Sequence, residues 1–326
     1  MTILVTGSAG HLGEALMRSL RASGRPARGI DLKPSAFTDM VGSITDRAFV
    51  TQAVAGARWI VHAATLHKPH VATHSNRDFL DVNIAGTLTL LEEAAAKRIQ
   101  SFVFTSTTSA FGAALTPAAN EPAAWITEDV PGVPKNIYGA TKTAAEGLCE
   151  LFARSSKLPV VVLRTSRFFP ESDDDPAVRS RYSLDNAQAN EMLYRRLDIA
   201  DAVAAHLLAI ERAPDIGFGR YIISASTPFT KEDLADLRRD AAAVVWRLFP
   251  QAADLYRARG WTMFPQIDRV YVNALARRQL GWLPVHDFQH VLNCLAAGQD
   301  WRSPLAIATG SKGYHAEQFG EAPYRT

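Results

Sequence analysis

The chain has 326 residues, of which 47% are hydrophobic, so its length and composition allow a large buried core. Its formal net charge is only +2, and the absence of long basic runs argues against nucleic acid as a partner. The two cysteines, Cys149 and Cys294, are too few for a disulfide framework or a zinc site. No apolar run approaches the ~18 residues of a membrane span, and no leader pattern opens the chain. We therefore expect a cytoplasmic protein without a membrane partner.

The first 24 residues predict a strand, a glycine turn and a helix. Residues 1–6 are mostly apolar, and Gly7, Gly10 and Gly13 follow in the pattern G-x-x-G-x-x-G. Apolar side chains at helical spacing then continue to Gly24. Such a turn lets the backbone approach a pyrophosphate, whose charge is favoured by the N–H groups and positive dipole end of the helix. We therefore expect a dinucleotide-binding unit.

A carboxylate ends the second predicted strand, residues 27–31, about 20 residues after the glycine turn. Asp31 can accept hydrogen bonds from a ribose diol, whereas a 2′-phosphate would meet a like charge. Asp31 therefore favours NAD over NADP as the cofactor. Lys33 weakens this preference without reversing it.

Tyr138 and Lys142 stand four residues apart, about 30 residues after the hydroxyl-rich run 105–109. On a helix the two positions share one face, so the Lys142 ammonium can stabilise the Tyr138 phenolate and lower its pKa from about 10. Tyr138 is then a candidate proton shuttle. The same spacing also arises by chance on solvated helix faces. The pair therefore indicates a catalytic site only together with the surrounding motifs.

The glycine pattern, the hydroxyl run and the Tyr138/Lys142 pair resemble the short-chain dehydrogenase/reductase family, specifically its extended, epimerase/dehydratase-like branch. Residues 59–64 are similar to the family's fourth-strand motif, and residues 83–94 to the helix that follows. The resemblance covers residue 1 to about residue 170. It implies NAD-dependent hydride transfer.

The resemblance also implies an α/β fold, namely a doubly wound parallel Rossmann-type sheet with a smaller, discontinuous C-terminal substrate lobe. The helices that begin near Asn83 and Tyr138 commonly pair across a two-fold axis in this family, which implies a homodimer. The predicted units are an NAD-binding domain of residues 1–166 and 197–224, and a substrate-binding lobe of residues 167–196 and 225–326.

Individual residues receive roles from the same resemblance. Thr107 aligns with the catalytic serine or threonine and would bind the reacting oxygen of the substrate. Tyr138 would move the proton, and Lys142 would hold the nicotinamide ribose while lowering the pKa of Tyr138. The residues expected to contact NAD are Gly7, Gly10, His11, Leu12, Gly13, Asp31, Ser43, Ile44, Ala63, Ala64, Asn83, Thr105, Tyr138 and Lys142.

Two of these positions leave alternatives open. Ser43 stands where an aspartate commonly contacts the adenine, and a serine can still make one hydrogen bond there. Weaker cofactor retention would suit a dehydrogenase better than an epimerase. Asn83 resembles an asparagine that supports the proton relay, but it can equally well satisfy backbone groups near a helix kink.

Arg167 is the main departure on the substrate side, because it stands where this branch commonly has an asparagine that touches the substrate. A guanidinium there can clamp a carboxylate or a phosphate. Pairing with Asp173, Asp174 or Asp175 is the alternative.

The loop after the fourth strand borders the substrate in this branch, so we expect a contact from His67 or Lys68. His70 and His74 are four residues apart, yet no carboxylate or thiolate motif accompanies them, and we expect no metal site. The Pro- and Ala-rich segment 117–134 is expected to be a loop against which the substrate lies.

Several reactions remain open within this family. An epimerase of a sugar or nucleotide-sugar-like substrate would keep NAD bound, whereas a dehydrogenase or reductase of a sugar acid or other small hydroxy compound would exchange it. Dehydration is disfavoured, because Thr108 and Ser109 follow Thr107 where a dehydratase typically has Asp and Glu. A non-catalytic NAD(H)-binding regulator is a further alternative, although such proteins usually lack the Tyr/Lys pair.

Overall fold

The structure, a computed structural model, describes residues 2–312. Seven parallel strands of this part form the main sheet, in the spatial order β3-β2-β1-β4-β5-β7-β8. This confirms the predicted doubly wound, Rossmann-type α/β fold. The strands are β1 (Thr2–Thr6), β2 (Ala27–Asp31), β3 (Met40–Val41), β4 (Ala57–His62), β5 (Ser101–Thr107), β6 (Ala124–Ile126), β7 (Val160–Thr165), β8 (Phe218–Ile223) and β9 (Arg269–Tyr271).

Polar side chains cap the start of many helices by accepting the otherwise unpaired first-turn N–H groups. Asn136 caps the longest one, and Asp198 and Ser303 cap two later ones. The α-helices are α1 (His11–Ala22), α2 (Arg47–Val54), α3 (Asn76–Phe79), α4 (Thr87–Ala96), α5 (Ile137–Ser156), α6 (Pro176–Arg181), α7 (Leu184–Glu191), α8 (Ile199–Ile216), α9 (Leu234–Arg239), α10 (Ala241–Leu248), α11 (Ala252–Ala258), α12 (Ala274–Leu280), α13 (Phe288–Ala297) and α14 (Pro304–Thr309). A π-helical turn, Leu80–Gly86, joins α3 to α4, and 3-10 turns cover Lys68–Ala72, Thr108–Phe111, Ala113–Leu115 and Lys231–Asp233.

Both faces of the main sheet are covered by helices. Ile3 and Val5 of β1 pack on the face that carries α1 and α8, while Leu4 packs on the face that carries α2, α4 and α5. Successive side chains of a strand point to opposite faces, so β1 must be apolar at every position. No helix among residues 2–312 is long and apolar enough to cross a membrane.

The segment 117–134 differs from the expected loop. Its middle forms β6, which pairs in parallel with β9 in a separate two-stranded sheet. Ile126 and Tyr271 of these strands pack with Phe111 in a small apolar cluster. The β6–β9 pairing therefore joins the two units proposed from the sequence.

Candidate active site and cofactor cleft

A cleft of about 750 Å³ opens at the carboxyl ends of the main-sheet strands, where ligands bind in open α/β sheets. Asn83 and Lys142 are buried but do not line it. The predicted site residues that line the cleft are Gly7, Gly10, His11, Leu12, Gly13, Asp31, Ser43, Ile44, Ala63, Ala64, Lys68, Thr105, Thr107, Tyr138 and Arg167.

The glycine turn fits a pyrophosphate because its glycines allow close backbone packing. Gly7 has φ +74°, and a Cβ there would lie 2.8 Å from the Ala64 nitrogen. A Cβ on Gly13 would lie 1.9 Å from the Gly7 oxygen. No described side chain caps α1, so its first-turn N–H groups are available to an anion.

Asp31 binds the backbone of this turn from the end of β2. Its Oδ2 accepts a hydrogen bond from the Ala9 N–H at 3.0 Å, and its Oδ1 accepts one from the Lys33 N–H at 2.9 Å. A carboxylate has about four acceptor positions. The remaining positions can accept ribose hydroxyls in the cleft.

Tyr138 and Thr107 meet where α5 passes the end of β5. Both side chains line the cleft, where the Thr107 hydroxyl lies beside the Tyr138 phenol, and the Thr107 Oγ1 accepts the Ser109 N–H at 3.0 Å. Burial raises the pKa of Tyr138 to about 12, although the neighbouring Thr107 hydroxyl opposes this rise.

Lys142 lies deeper, with its Nζ 4.0 Å from the centroid of the Phe104 ring. Burial lowers the pKa of Lys142 to about 7. The structure therefore differs from the expectation that Lys142 lowers the pKa of Tyr138, because desolvation of the phenol dominates this pKa and is opposed by Thr107 rather than by Lys142.

Asn83 sits in the π-helical turn with its side-chain amide engaged on both sides. Its Oδ1 accepts from the Thr65 hydroxyl at 2.9 Å and from the Leu66 N–H at 2.8 Å. Its Nδ2 donates to the Leu66 oxygen and to the Thr141 Oγ1, both at 3.1 Å. Asn83 therefore satisfies backbone groups of Leu66, which is the second of the two roles considered for it. Its contacts also connect the loop after β4 to α5.

His67 of that loop lies against the candidate proton shuttle. Its ring stacks on Tyr138 with centroids 5.3 Å apart, and meets the Phe169 ring edge-on at 5.0 Å. Burial lowers the pKa of His67 to about 3, so its ring is neutral at physiological pH. Phe169 was not identified from the sequence, because no motif marks it.

The two cations expected to bind substrate, Lys68 and Arg167, converge on one carboxylate. Lys68 forms an ion pair with Asp174. Arg167 contacts Asp174 at 3.3 Å and Asp173 at 3.6 Å, and donates to the Ser172 oxygen at 2.7 Å. Arg167 thus makes the pairing given as its alternative role while still lining the cleft.

Two further cofactor candidates make local contacts. The Ser43 hydroxyl shares a hydrogen bond with Thr45 at 2.7 Å. Thr105 bonds His206 Nε2 at 2.9 Å, and because His206 Nδ1 contacts the Ala202 oxygen at 2.7 Å, the hydroxyl donates. The Thr105 hydroxyl is therefore directed to α8.

Sequence reasoning missed four basic residues of the cleft, Lys135, Arg195, Arg269 and Lys312. The Nε atoms of Arg195 and Arg269 are buried without a hydrogen-bond partner among residues 2–312. Segment 117–134 itself does not line the cleft, which instead reaches its flanks at Leu115, Thr116, Lys135 and Asn136.

The model of the NAD dependent epimerase/dehydratase family matches residues 3–221, which is more than half of the chain. The chain belongs to this family. The resemblance seen in the motifs is thereby confirmed, and so is NAD as the cofactor, which the glycine turn and Asp31 fit. Members of this epimerase/dehydratase family are enzymes, and both reactions occur among the relatives.

Three relatives show the range of this epimerase/dehydratase family. The chain is 33% identical to the uncharacterized protein y4nG of Sinorhizobium fredii, over 50% of its own length and only 40% of that protein. It is 24% identical to a UDP-glucose 4-epimerase of Azospirillum brasilense, over 95% of the chain and 94% of the relative. It is 28% identical to a dTDP-glucose 4,6-dehydratase of Streptomyces antibioticus, over 88% of the chain and 89% of the relative.

Solved structures agree with the fold. A short-chain dehydrogenase/reductase superfamily protein from Agrobacterium tumefaciens, crystallised with NAD, matches with a TM-score of 0.65 and 25% identity, over 91% of this chain and 96% of that one. MoeE5 in complex with UDP-glucose and NAD matches with a TM-score of 0.63 and 20% identity, over 92% of this chain and 98% of MoeE5.

Proposed function

We propose that the protein is an NAD-dependent enzyme that transfers hydride to and from a secondary alcohol carbon of a sugar or nucleotide-sugar-like substrate. The observation that carries this proposal is the juxtaposition of the Tyr138 and Thr107 hydroxyls in the cleft that also contains the glycine turn. A hydroxyl pair in this position can bind one substrate oxygen and exchange a proton with it.

In the proposed mechanism, the Thr107 hydroxyl binds the reacting oxygen and Tyr138 Oη takes its proton. The oxidised nicotinamide, when bound, supplies the hydride acceptor and a positive charge that favours the Tyr138 phenolate. The stacked His67 ring holds the phenol in place and excludes water from one of its faces. The contacts of Asn83 hold the loop that carries His67.

The basic side chains at the substrate end of the cleft favour an anionic substrate. Lys135, Arg195 and Arg269 line it, in addition to Lys68 and Arg167. Four of these five also pair with carboxylates: Lys68 and Arg167 with Asp174, Arg195 with Asp173 and Glu191, and Arg269 with Asp268. Guanidinium groups bind the diphosphate of a nucleotide sugar or the carboxylate of a sugar acid equally well. A dehydrogenase or reductase of a sugar acid, with NAD exchanged in each turnover, is therefore the second candidate.

We do not propose dehydration, although dehydratases occur among the relatives. Thr108 and Ser109 directly follow Thr107, and neither can serve as the additional acid and base that dehydration requires. A homodimer through α4 and α5 is part of the proposal, supported by the exposed Leu80 and Leu151 near and on these helices. Light scattering at several protein concentrations tests the dimer.

The first test is mass spectrometry of the nucleotide released when the freshly purified protein is denatured. Near-stoichiometric NAD favours the epimerase, which is then assayed with sugar-nucleotide pairs that differ at one carbon. A protein that purifies empty but binds added NAD favours the dehydrogenase, which is then assayed with sugar acids by NADH formation.

The second test asks whether Tyr138 carries the proton. Tyr138→Phe is expected to lose turnover while NAD binding remains. Tyr182→Phe is the matched control, because the buried Tyr182 hydroxyl has no hydrogen-bond partner among residues 2–312. Full turnover of Tyr138→Phe contradicts the assignment.

A further inference from the structure

The last residues that the structure describes return to the glycine turn. Ser303 fixes the start of α14 by donating to the two oxygens of Asp198, from N–H at 3.0 Å and from Oγ at 2.6 Å. The chain leaves α14 through Gly310, whose φ is +58°. It then places Ser311 and Lys312 beside the first turn of α1.

Both of these residues bind side chains of the cofactor cleft or next to it: His11 and Glu171 line the cleft, and Glu14 is buried beside it. The Lys312 N–H lies 3.1 Å from His11 Nε2, and its Nζ lies 2.6 Å from Glu14 Oε2. The Ser311 hydroxyl donates to Glu171 Oε1 at 2.7 Å. Lys312 itself lines the cleft.

Lys312 forms its ion pair with Glu14, a buried carboxylate in the helix turn that faces the cofactor. Glu14 is 94% buried, since only 6% of its surface is exposed, and it lies in the first turn of α1. The N–H groups and positive dipole end of this turn favour the pyrophosphate of NAD, and an uncompensated carboxylate would repel it. Arg18 occupies one Glu14 oxygen at 2.8 Å, and Lys312 occupies the other.

A second carboxylate, that of Glu171, adds a negative charge that Arg18 alone does not neutralise. Glu171 lies 2.9 Å from His11 Nε2, at the same end of the cleft. Counting formal charges with histidine taken as neutral, Glu14 and Glu171 are balanced by Arg18 and Lys312. Removal of the Lys312 charge leaves this group with one net negative charge beside the pyrophosphate position.

We propose that Lys312 is a positioning residue for NAD, which neutralises Glu14 and thereby keeps the first turn of α1 attractive to the pyrophosphate. It acts through Glu14. The effect of losing Lys312 must therefore disappear when the Glu14 charge is also removed.

The experiment is a double-mutant cycle in the full chain, with NAD titrated calorimetrically at low ionic strength. Lys312→Met is expected to raise the Kd for NAD about five- to tenfold. Glu14→Gln, which keeps the acceptor for Arg18, is expected to return the Lys312→Met protein to within about twofold of the wild type. Raising the salt concentration should shrink the effect of Lys312→Met.

Adenosine separates this role from a structural one, because it contains no phosphate. Its affinity is expected to be the same in the Lys312→Met protein and the wild type. Lys231→Met, an exposed lysine outside the cleft, is the matched loss of one charge and should leave the Kd for NAD unchanged.

Three results would overturn the proposal. One is an unchanged Kd for NAD in Lys312→Met. Another is weaker binding that Glu14→Gln does not restore, which would indicate direct contact between Lys312 and a phosphate. The third is an equal loss of affinity for adenosine, which would indicate that Lys312 only holds the local structure.

Discussion

The rings of His67 and Tyr138 are stacked, with an angle of 22° between their planes. Because burial holds the pKa of His67 near 3, the His67 ring contributes packing to the site and no proton. We predict that His67→Phe keeps kcat within about threefold and that His67→Ala lowers it by about tenfold, since the loss of a stacked ring costs roughly 1 kcal/mol or more.

The measurement is steady-state turnover as a function of pH, on the substrate that the screens identify. The wild type and His67→Phe should have the same pH profile between pH 5 and 9. A limb of the profile that disappears in His67→Phe would show that His67 exchanges protons after all.

Tyr138 should remain a neutral phenol at physiological pH in the protein without added nucleotide. Burial raises its pKa to about 12, above the value of about 10 in an unfolded chain. The stability that this shift contributes is therefore present below pH 10 and is lost as the pH rises from 10 towards 12.

Difference absorbance at 295 nm between the wild type and Tyr138→Phe reports this ionisation. No Tyr138 signal is expected below pH 10, and added NAD should move the ionisation to lower pH. A pKa below 9 without nucleotide would contradict the burial argument.

Gly13 is predicted to strengthen cofactor binding by allowing close packing of the glycine turn. A Cβ there would lie 1.9 Å from the Gly7 oxygen, so Gly13→Ala must displace the glycine turn. At an overpacking cost of roughly 2 kcal/mol, the Kd for NAD should rise about 30-fold. Gly147→Ala is the matched control, since a Cβ at Gly147 of α5 meets no atom within 4 Å.

Calorimetric titration and thermal unfolding distinguish the two glycines. Gly147→Ala should bind NAD normally and gain about 0.5–1 kcal/mol of stability, because alanine is the better helix former. Equal behaviour of the two variants would count against the close-approach argument for Gly13.

Glu146 is predicted to stabilise the sheet beneath the site. Its carboxylate, 1% exposed, accepts from Arg164 Nη2 at 2.7 Å and Nε at 3.1 Å, and also from the Ser106 hydroxyl. Glu146→Gln leaves the buried Arg164 charge without its partner and should cost about 3 kcal/mol of unfolding free energy.

Urea unfolding measures this change, with Glu150→Gln as the control on the same helix. Glu150 pairs with Arg220 at the surface, and such exposed pairs contribute less than about 1 kcal/mol. If both substitutions had the same small effect, the buried Arg164–Glu146 pair would not be a principal support of β5 and β7.

The sequence by itself determined the local part of this protein. The turn at Gly7, the carboxylate of Asp31 and the helical spacing of Tyr138 and Lys142 depend on residues close together in the chain, so their patterns could be read directly. The family resemblance carried by these patterns likewise implied the parallel sheet. The three-residue strand β6 escaped this reading, because it is too short for a pattern.

Only the tertiary structure decided how these parts meet. Burial, which depends on all the surrounding elements, raised the pKa of Tyr138 and placed the Lys142 ammonium on Phe104. Arg269 and Lys312 lie far along the chain from the glycine turn, yet both line the cleft. Tertiary packing brings them there, and no local sequence pattern predicts it. The cofactor end of the cleft could therefore be predicted from the sequence of the glycine turn, whereas the charge balance of the cleft depends on tertiary packing.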